Sequence, residues 1–181
     1  MRPHPQLVMK ASDERTLVMT RAFDAPRALV FRTWTEPALL RRWLTGPDGW
    51  TFAVCEVDLR VGGGYRFVWR WEGEACEAGA TQADCGAAMI SDMGMSGEYR
   101  EIARPDRFVA TERFDQAWYP GEALVRHEFV ELEGRTYYTG IVTYESAEAL
   151  QAVLRSNMEQ GVAASFNRMD GVLAEQAAAI A

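Results

Sequence analysis

His127 is the residue of this chain best suited to proton chemistry. Of two histidines in 181 residues, it alone lies in a patterned stretch; His4 sits in a proline-containing N-terminal segment. His127 shares one face of a predicted strand with Val125 and Phe129. Apolar surroundings there disfavour the charged imidazole and suit it to exchanging a proton near neutral pH. A base in that position also needs a substrate proton within hydrogen-bond reach. The plainer reading is a buried histidine bonded to Tyr99, Tyr138 or backbone. Trp69 and Trp71, with Met93 and Met95 on the following strand, point to one side and form a soft, polarizable wall. Such a wall suits an apolar or aromatic ligand, and equally an ordinary core. Asn157 and Ser165 face the same hollow from a helix, where they could orient a ligand's polar group or hold a buried water.

Other polar groups read more simply. Asp58 and Arg60 flank a glycine turn, so the aspartate is expected to bond turn amides and the arginine to be solvated. Glu98, Arg100, Glu101, Glu112 and Arg113 read as cross-strand pairs on the solvent face, with Glu112 ambiguous. The sequence contains no serine elbow, no phosphate-binding glycine loop opening a helix and no metal-ligand cluster, so no metal or cofactor is expected. Cys55, Cys76 and Cys85 form no close-spaced pair, and free thiols are the expectation.

The elements that must hold these residues follow from periodicity. Residues 1–15 read as a flexible leader, and 16–23 alternate as a first strand. Two short helices follow, around Leu29 to Trp34 and Leu39 to Leu44, separated by Pro37. Strands are expected over 51–59, 65–72, 93–103, 107–114, 123–132 and 136–145, with 73–92 an insertion or mobile loop. Residues 147–176 carry one apolar stripe through Leu150, Val153, Met158, Val162, Phe166, Met169 and Leu173, the rhythm of a single long helix. Gly161 interrupts it, which suggests that something approaches the helix there. Because no helices separate the later strands, the fold class is α+β: a curved antiparallel sheet wrapped around a long C-terminal helix. One domain over 16–176, with a tail at 177–181, accounts for the whole pattern.

Composition narrows the partners. A formal net charge of −7 argues against nucleic acid or an anionic membrane surface. No apolar run approaches a bilayer span and no secretory signal is legible, so a cytoplasmic address is expected. The helix pair around Trp34 and Trp43 leaves open a homodimer through exposed aromatics.

Four segments taken in order resemble the START-like helix-grip (SRPBCC) superfamily, and within it the heat-shock-protein-90 ATPase activator homologue family. They are Arg21-Ala-Phe-Asp-Ala-Pro-Arg27 with Val30-Phe31, Trp34-Thr-Glu-Pro-Ala-Leu-Leu-Arg-Arg-Trp43, Asp58 to Phe67 around Gly62-Gly63-Gly64, and Ser156 to Asp170. The resemblance spans Thr16 to Gln176 and implies a cavity between the concave sheet face and the long helix. It supports binding of an apolar or aromatic small molecule by Trp69, Trp71, Met93, Met95, His127, Asn157, Met158, Gly161, Val162, Ser165 and Phe166. A polyketide cyclase-, dehydratase- or hydrolase-like enzyme using His127, and a regulator of a chaperone ATPase, are the alternatives that it leaves open.

Overall fold

Alternating apolar residues build one sheet whose concave side carries most of the core. The computed structural model describes residues 6–46, 49–72, 92–116, 119–156 and 158–180. Its strands are β1 (Val8–Ala11), β2 (Thr16–Phe23), β3 (Trp50–Val57), β4 (Gly64–Trp71), β5 (Asp92–Ala103), β6 (Arg107–Phe114), β7 (Ala123–Leu132) and β8 (Arg135–Thr143). They join in the order β1-β2-β8-β7-β6-β5-β4-β3, with every neighbouring pair antiparallel. The helices are α1 (Arg27–Thr35), α2 (Pro37–Trp43), α3 (Ala147–Arg155) and α4 (Met158–Ile180). This is the expected curved antiparallel sheet gripping a C-terminal helix.

Two expectations change. Val8–Ala11, assigned to the leader, pairs with β2 as an edge strand, and Leu7 beside it packs on the core. The single helix expected over 147–176 is two helices, the second running to Ile180. Ser156 makes the break with an extended backbone (φ −84°, ψ 170°). Its N–H and its hydroxyl both donate to the Val153 carbonyl, at 3.0 and 2.6 Å, while its Oγ accepts from the Met158 N–H at 3.2 Å. One serine thus closes α3 and starts α4, the competition with helical bonding to which serine is prone. At the other end of α3, Ser146 is the N-cap, accepting from the Ala149 N–H at 3.1 Å.

The inner face divides into two clusters. Leu17, Val125, Val142 and Tyr144 pack against Leu150 and Val153 of α3. Phe23, Phe52, Phe67, Trp69, Phe108 and Phe129 pack with α1, α2 and the second half of α4. Val162 and Leu7 touch both. Several polar clamps seat α4. Arg168 donates to the Trp43 carbonyl at 3.3 Å and the Gly46 carbonyl at 2.5 Å, closing the end of α2. Arg21, on the inner side of β2, donates to Asn167 Oδ1 at 2.9 Å and Asp170 Oδ2 at 2.5 Å.

Only 2% of the Arg21 side chain is exposed, so Asp170→Ala should leave a buried guanidinium uncompensated and cost about 3 kcal/mol or more. The Arg21→Met/Asp170→Ala double variant should recover much of that loss in urea unfolding; a double variant no more stable than the single one would contradict the clamp. Gly161 behaves otherwise than expected: among the described residues, a Cβ placed there meets no atom within 4 Å. Gly161→Ala should therefore raise stability by about 0.5–1 kcal/mol through helix propensity alone, seen as a higher midpoint in the same urea titration.

Candidate ligand site on the concave face

His127 stands on the inner side of β7 between Val125 and Phe129, as its parity requires. It lies in an aromatic cage. The ring stacks on Phe108 at 4.3 Å and tilts against Trp34 of α1 at 4.8 Å, while Trp34 itself stacks on Tyr138 at 5.0 Å. Nδ1 of His127 shares a hydrogen bond with the Tyr138 hydroxyl at 3.0 Å, one of the partners anticipated. Burial pushes the imidazole pKa down to about 3, so the ring is neutral at physiological pH. A base so weak is poorly matched to proton abstraction near pH 7. The indole Nε1–H of Trp34 is buried without a hydrogen-bond partner, and Nε2 of His127 has none among the described residues. Of the two tryptophans on the helix pair, Trp43 is 1% exposed and Trp34 is half-buried in the cage.

Glu112, left ambiguous by the sequence, faces inward. It shares a face of β6 with Phe108 and Ala110, both in the core, and so points to the concave side rather than to solvent. Its Oε1 accepts a hydrogen bond from the Tyr119 hydroxyl at 3.2 Å. Burial raises its pKa to about 7, the tyrosine bond offsetting only part of the effect. The hydroxyls of Tyr65, Tyr119, Tyr138 and Tyr144 are all pushed upward, first by burial and next by the charge of Glu112.

Two strand glycines make room for these rings. A Cβ on Gly140 would lie 2.3 Å from the Tyr138 hydroxyl, and one on Gly97 would lie 2.7 Å from the Tyr65 hydroxyl. The Tyr65 hydroxyl donates to the Thr111 carbonyl at 2.8 Å, one residue from Glu112.

The remaining predicted residues divide by environment. Met93 and Met95 oppose Trp69 and Phe67 across β4 and β5 and stay half-buried on the inner side. Trp69 is filled core, stacked on Phe52 at 5.1 Å with its Nε1–H donating to the Leu44 carbonyl at 2.7 Å. Trp71 lies at the end of β4 against Trp50, at 5.7 Å, apart from the cage. Phe166 is buried against Trp34 and Tyr138, and Ser165 is buried beside it. Met158, Gly161 and Val162, on the first turns of α4, are half-buried. Asn157, Cys76, Cys85 and all of the 73–92 insertion except Asp92 lie outside the described residues. Asp58 pairs with Arg60 at 2.8 Å in an exposed turn. Arg100 with Glu98 and Arg107 with Glu101 form surface pairs worth little. Two shallow hollows, about 280 Å³ beside Thr20, Tyr138 and Thr139 and about 400 Å³ beside Glu56, Tyr65 and Arg66, are lined by neither His127 nor Glu112.

Glu112 and His127 give stability an opposed pH dependence. The Glu112 value is higher folded (about 7) than ordinary (4.5), so stability present below about pH 4.5 is lost as pH rises through 7. The His127 value is lower folded (about 3) than ordinary (6.5), so stability present above about pH 6.5 is lost as pH falls toward 3. Between about pH 4.5 and 6.5 the two slopes oppose each other. Glu112→Gln should therefore gain most over the wild type above pH 7, and its advantage should shrink toward pH 4.5, as read from urea unfolding at a series of pH values. A constant difference would disprove the inward placement of the carboxyl.

Comparisons with known proteins agree with this architecture. A crystal structure of a Rhodobacter sphaeroides protein is 26% identical, covering 94% of this chain and 99% of its own, with a TM-score of 0.78. A Mycobacterium smegmatis protein is 25% identical over 92% of this chain and 96% of its own, with a TM-score of 0.72. A Chromobacterium violaceum protein, 22% identical over 89% of this chain and 98% of its own at a TM-score of 0.69, shares the fold. No curated protein matches the chain. The family model described as activator of Hsp90 ATPase homolog 1-like protein matches residues 24–174, which is most of the sequence. The chain belongs to that family.

Proposed function

We propose that this protein binds an apolar or aromatic small molecule between the concave face of its sheet and the first turns of α4. The observation that carries the reading is a pair of ring nitrogens on the inner face that make no hydrogen bond among the described residues and stand among aromatic side chains. They are Trp34 Nε1, which is fully buried, and His127 Nε2, which is not. Tyr65, Met93, Met95 and Val162 are half-buried and pack on the same core cluster, and among the described residues a Cβ at Gly161 of α4 meets no atom within 4 Å. Buried polar groups are normally paired, and an apolar site with a few convergent donors and acceptors is the usual form of a small-molecule pocket.

The enzymatic alternative is weaker, because a histidine held neutral down to about pH 3 serves as a hydrogen-bonding group rather than a base. Regulation of a chaperone ATPase rests on the family description alone. Among the described residues no helix is long and apolar enough to cross a membrane.

A library of hydrophobic dyes, lipids and polycyclic aromatics should contain compounds that raise the melting temperature, since a ligand held by the native state alone stabilises it by mass action. At about a hundredfold excess over Kd the gain is about 2.7 kcal/mol. A melting temperature unmoved by every compound would refute the proposal.

A further inference from the structure

Apolar binding alone leaves Glu112 unexplained. Oε1 is held by Tyr119 at 3.2 Å, while Oε2 makes no hydrogen bond among the described residues. No basic side chain there acts on the carboxyl. The arginines of the neighbouring strands are engaged elsewhere or solvated: Arg66 of β4 pairs with Asp115, Arg126 of β7 with Glu128, and Arg113 of β6 is exposed. The groups around Glu112 are Tyr65 from β4, Tyr119 from the loop before β7, and Tyr138 and Tyr144 from β8 and its end. Glu122 is a second acid that acts on Tyr65 and Tyr119. A half-buried acid on the inner face, held by one tyrosine hydroxyl and lacking a counter-charge among the described residues, is an environment complementary to a cation. A carboxylate bonds a charged donor about twice as strongly as a neutral one. An anionic ligand would meet repulsion from both acids.

We infer that Glu112 receives the protonated amine of an apolar or aromatic ligand, the ammonium bonding Oε2 while the body of the molecule lies along the concave face. The inference rests on the small-molecule reading above and specifies the chemical class. A cationic occupant supplies the charge that the fold withholds, so its binding ionises Glu112.

Calorimetric titration of the full chain with phenylbutylamine, phenylbutanol and phenylbutanoate separates the two readings. At about pH 8 the amine should bind the wild type at least tenfold more tightly than the alcohol, with the carboxylate weakest. Glu112→Gln should lose that preference while binding the alcohol within about twofold of the wild type; the Gln carbonyl can still accept from Tyr119. Lowering the pH to about 5.5 should weaken amine binding to the wild type and leave the variant unchanged. Equal affinity for amine and alcohol, or a preference that survives in the Gln variant, overturns the charge assignment and leaves the hollow standing. Absence of binding by all three overturns both.

Discussion

Arg21 stands on the inner side of β2 in line with Leu17, Met19 and Phe23, and a guanidinium in such company is tolerable only if acceptors are brought to it. Asp170 and Asn167, one helical turn apart on α4, are those acceptors. The requirement fixes both the position and the rotation of the helix over the sheet. With that rotation set, Phe166, Met169 and Leu173 face inward, and Arg168 comes within reach of the carbonyls that end α2. The Arg21 guanidinium also lies 5.5 Å from the Phe23 ring and 5.8 Å from Phe166, so its charge is shared between ion pair and aromatic faces.

This anchoring is local to the C-terminal half of α4. On the first turns, Met158, Gly161 and Val162 are half-buried, and Val162 packs on both core clusters. Between the clusters the inner face changes from packed hydrocarbon to a polar aromatic surface of histidine, tyrosines and a glutamate. Low polarizability there acts in one direction on every titrating group. It holds the imidazole, the phenols and, below about pH 7, the carboxyl in their uncharged forms. The region is therefore rich in hydrogen-bonding atoms and poor in fixed positive charge.

Much of the fold was legible because alternation and helical rhythm are strong in this chain, and because the tryptophan–proline helix pair and the glycine turn carry a family likeness. What was missed has physical reasons. β1 is four residues with one inward anchor, Met9, too short for a period to register. The helix break at Ser156 hides inside an apolar stripe that continues across it; only the serine's capacity to bond both helix ends signals the interruption. Glu112 could have been found from parity, since Phe108, Ala110 and Glu112 alternate, but a carboxylate on a strand is ordinarily solvated. Gly97 and Gly140 were the other overlooked signal, glycines inside strands that mark a close approach. Whether Trp34 is exposed was left open by a helix of nine residues; its ring, half-buried, reaches His127.

Among the described residues the sheet does not close into a barrel, and β1 and β3 form its two borders, along which another chain's backbone could add itself. Each is guarded differently. β1 presents only four residues and carries Lys10, the sole lysine of the sequence, a length and charge that discourage strand addition. β3 is longer, but its pairing is interrupted by a bulge between Phe52 and Val54, and Arg41 occupies the Phe52 carbonyl with a hydrogen bond of 2.9 Å. Resistance to fibril-like association is thus built into the rims of the fold, independently of anything its interior holds.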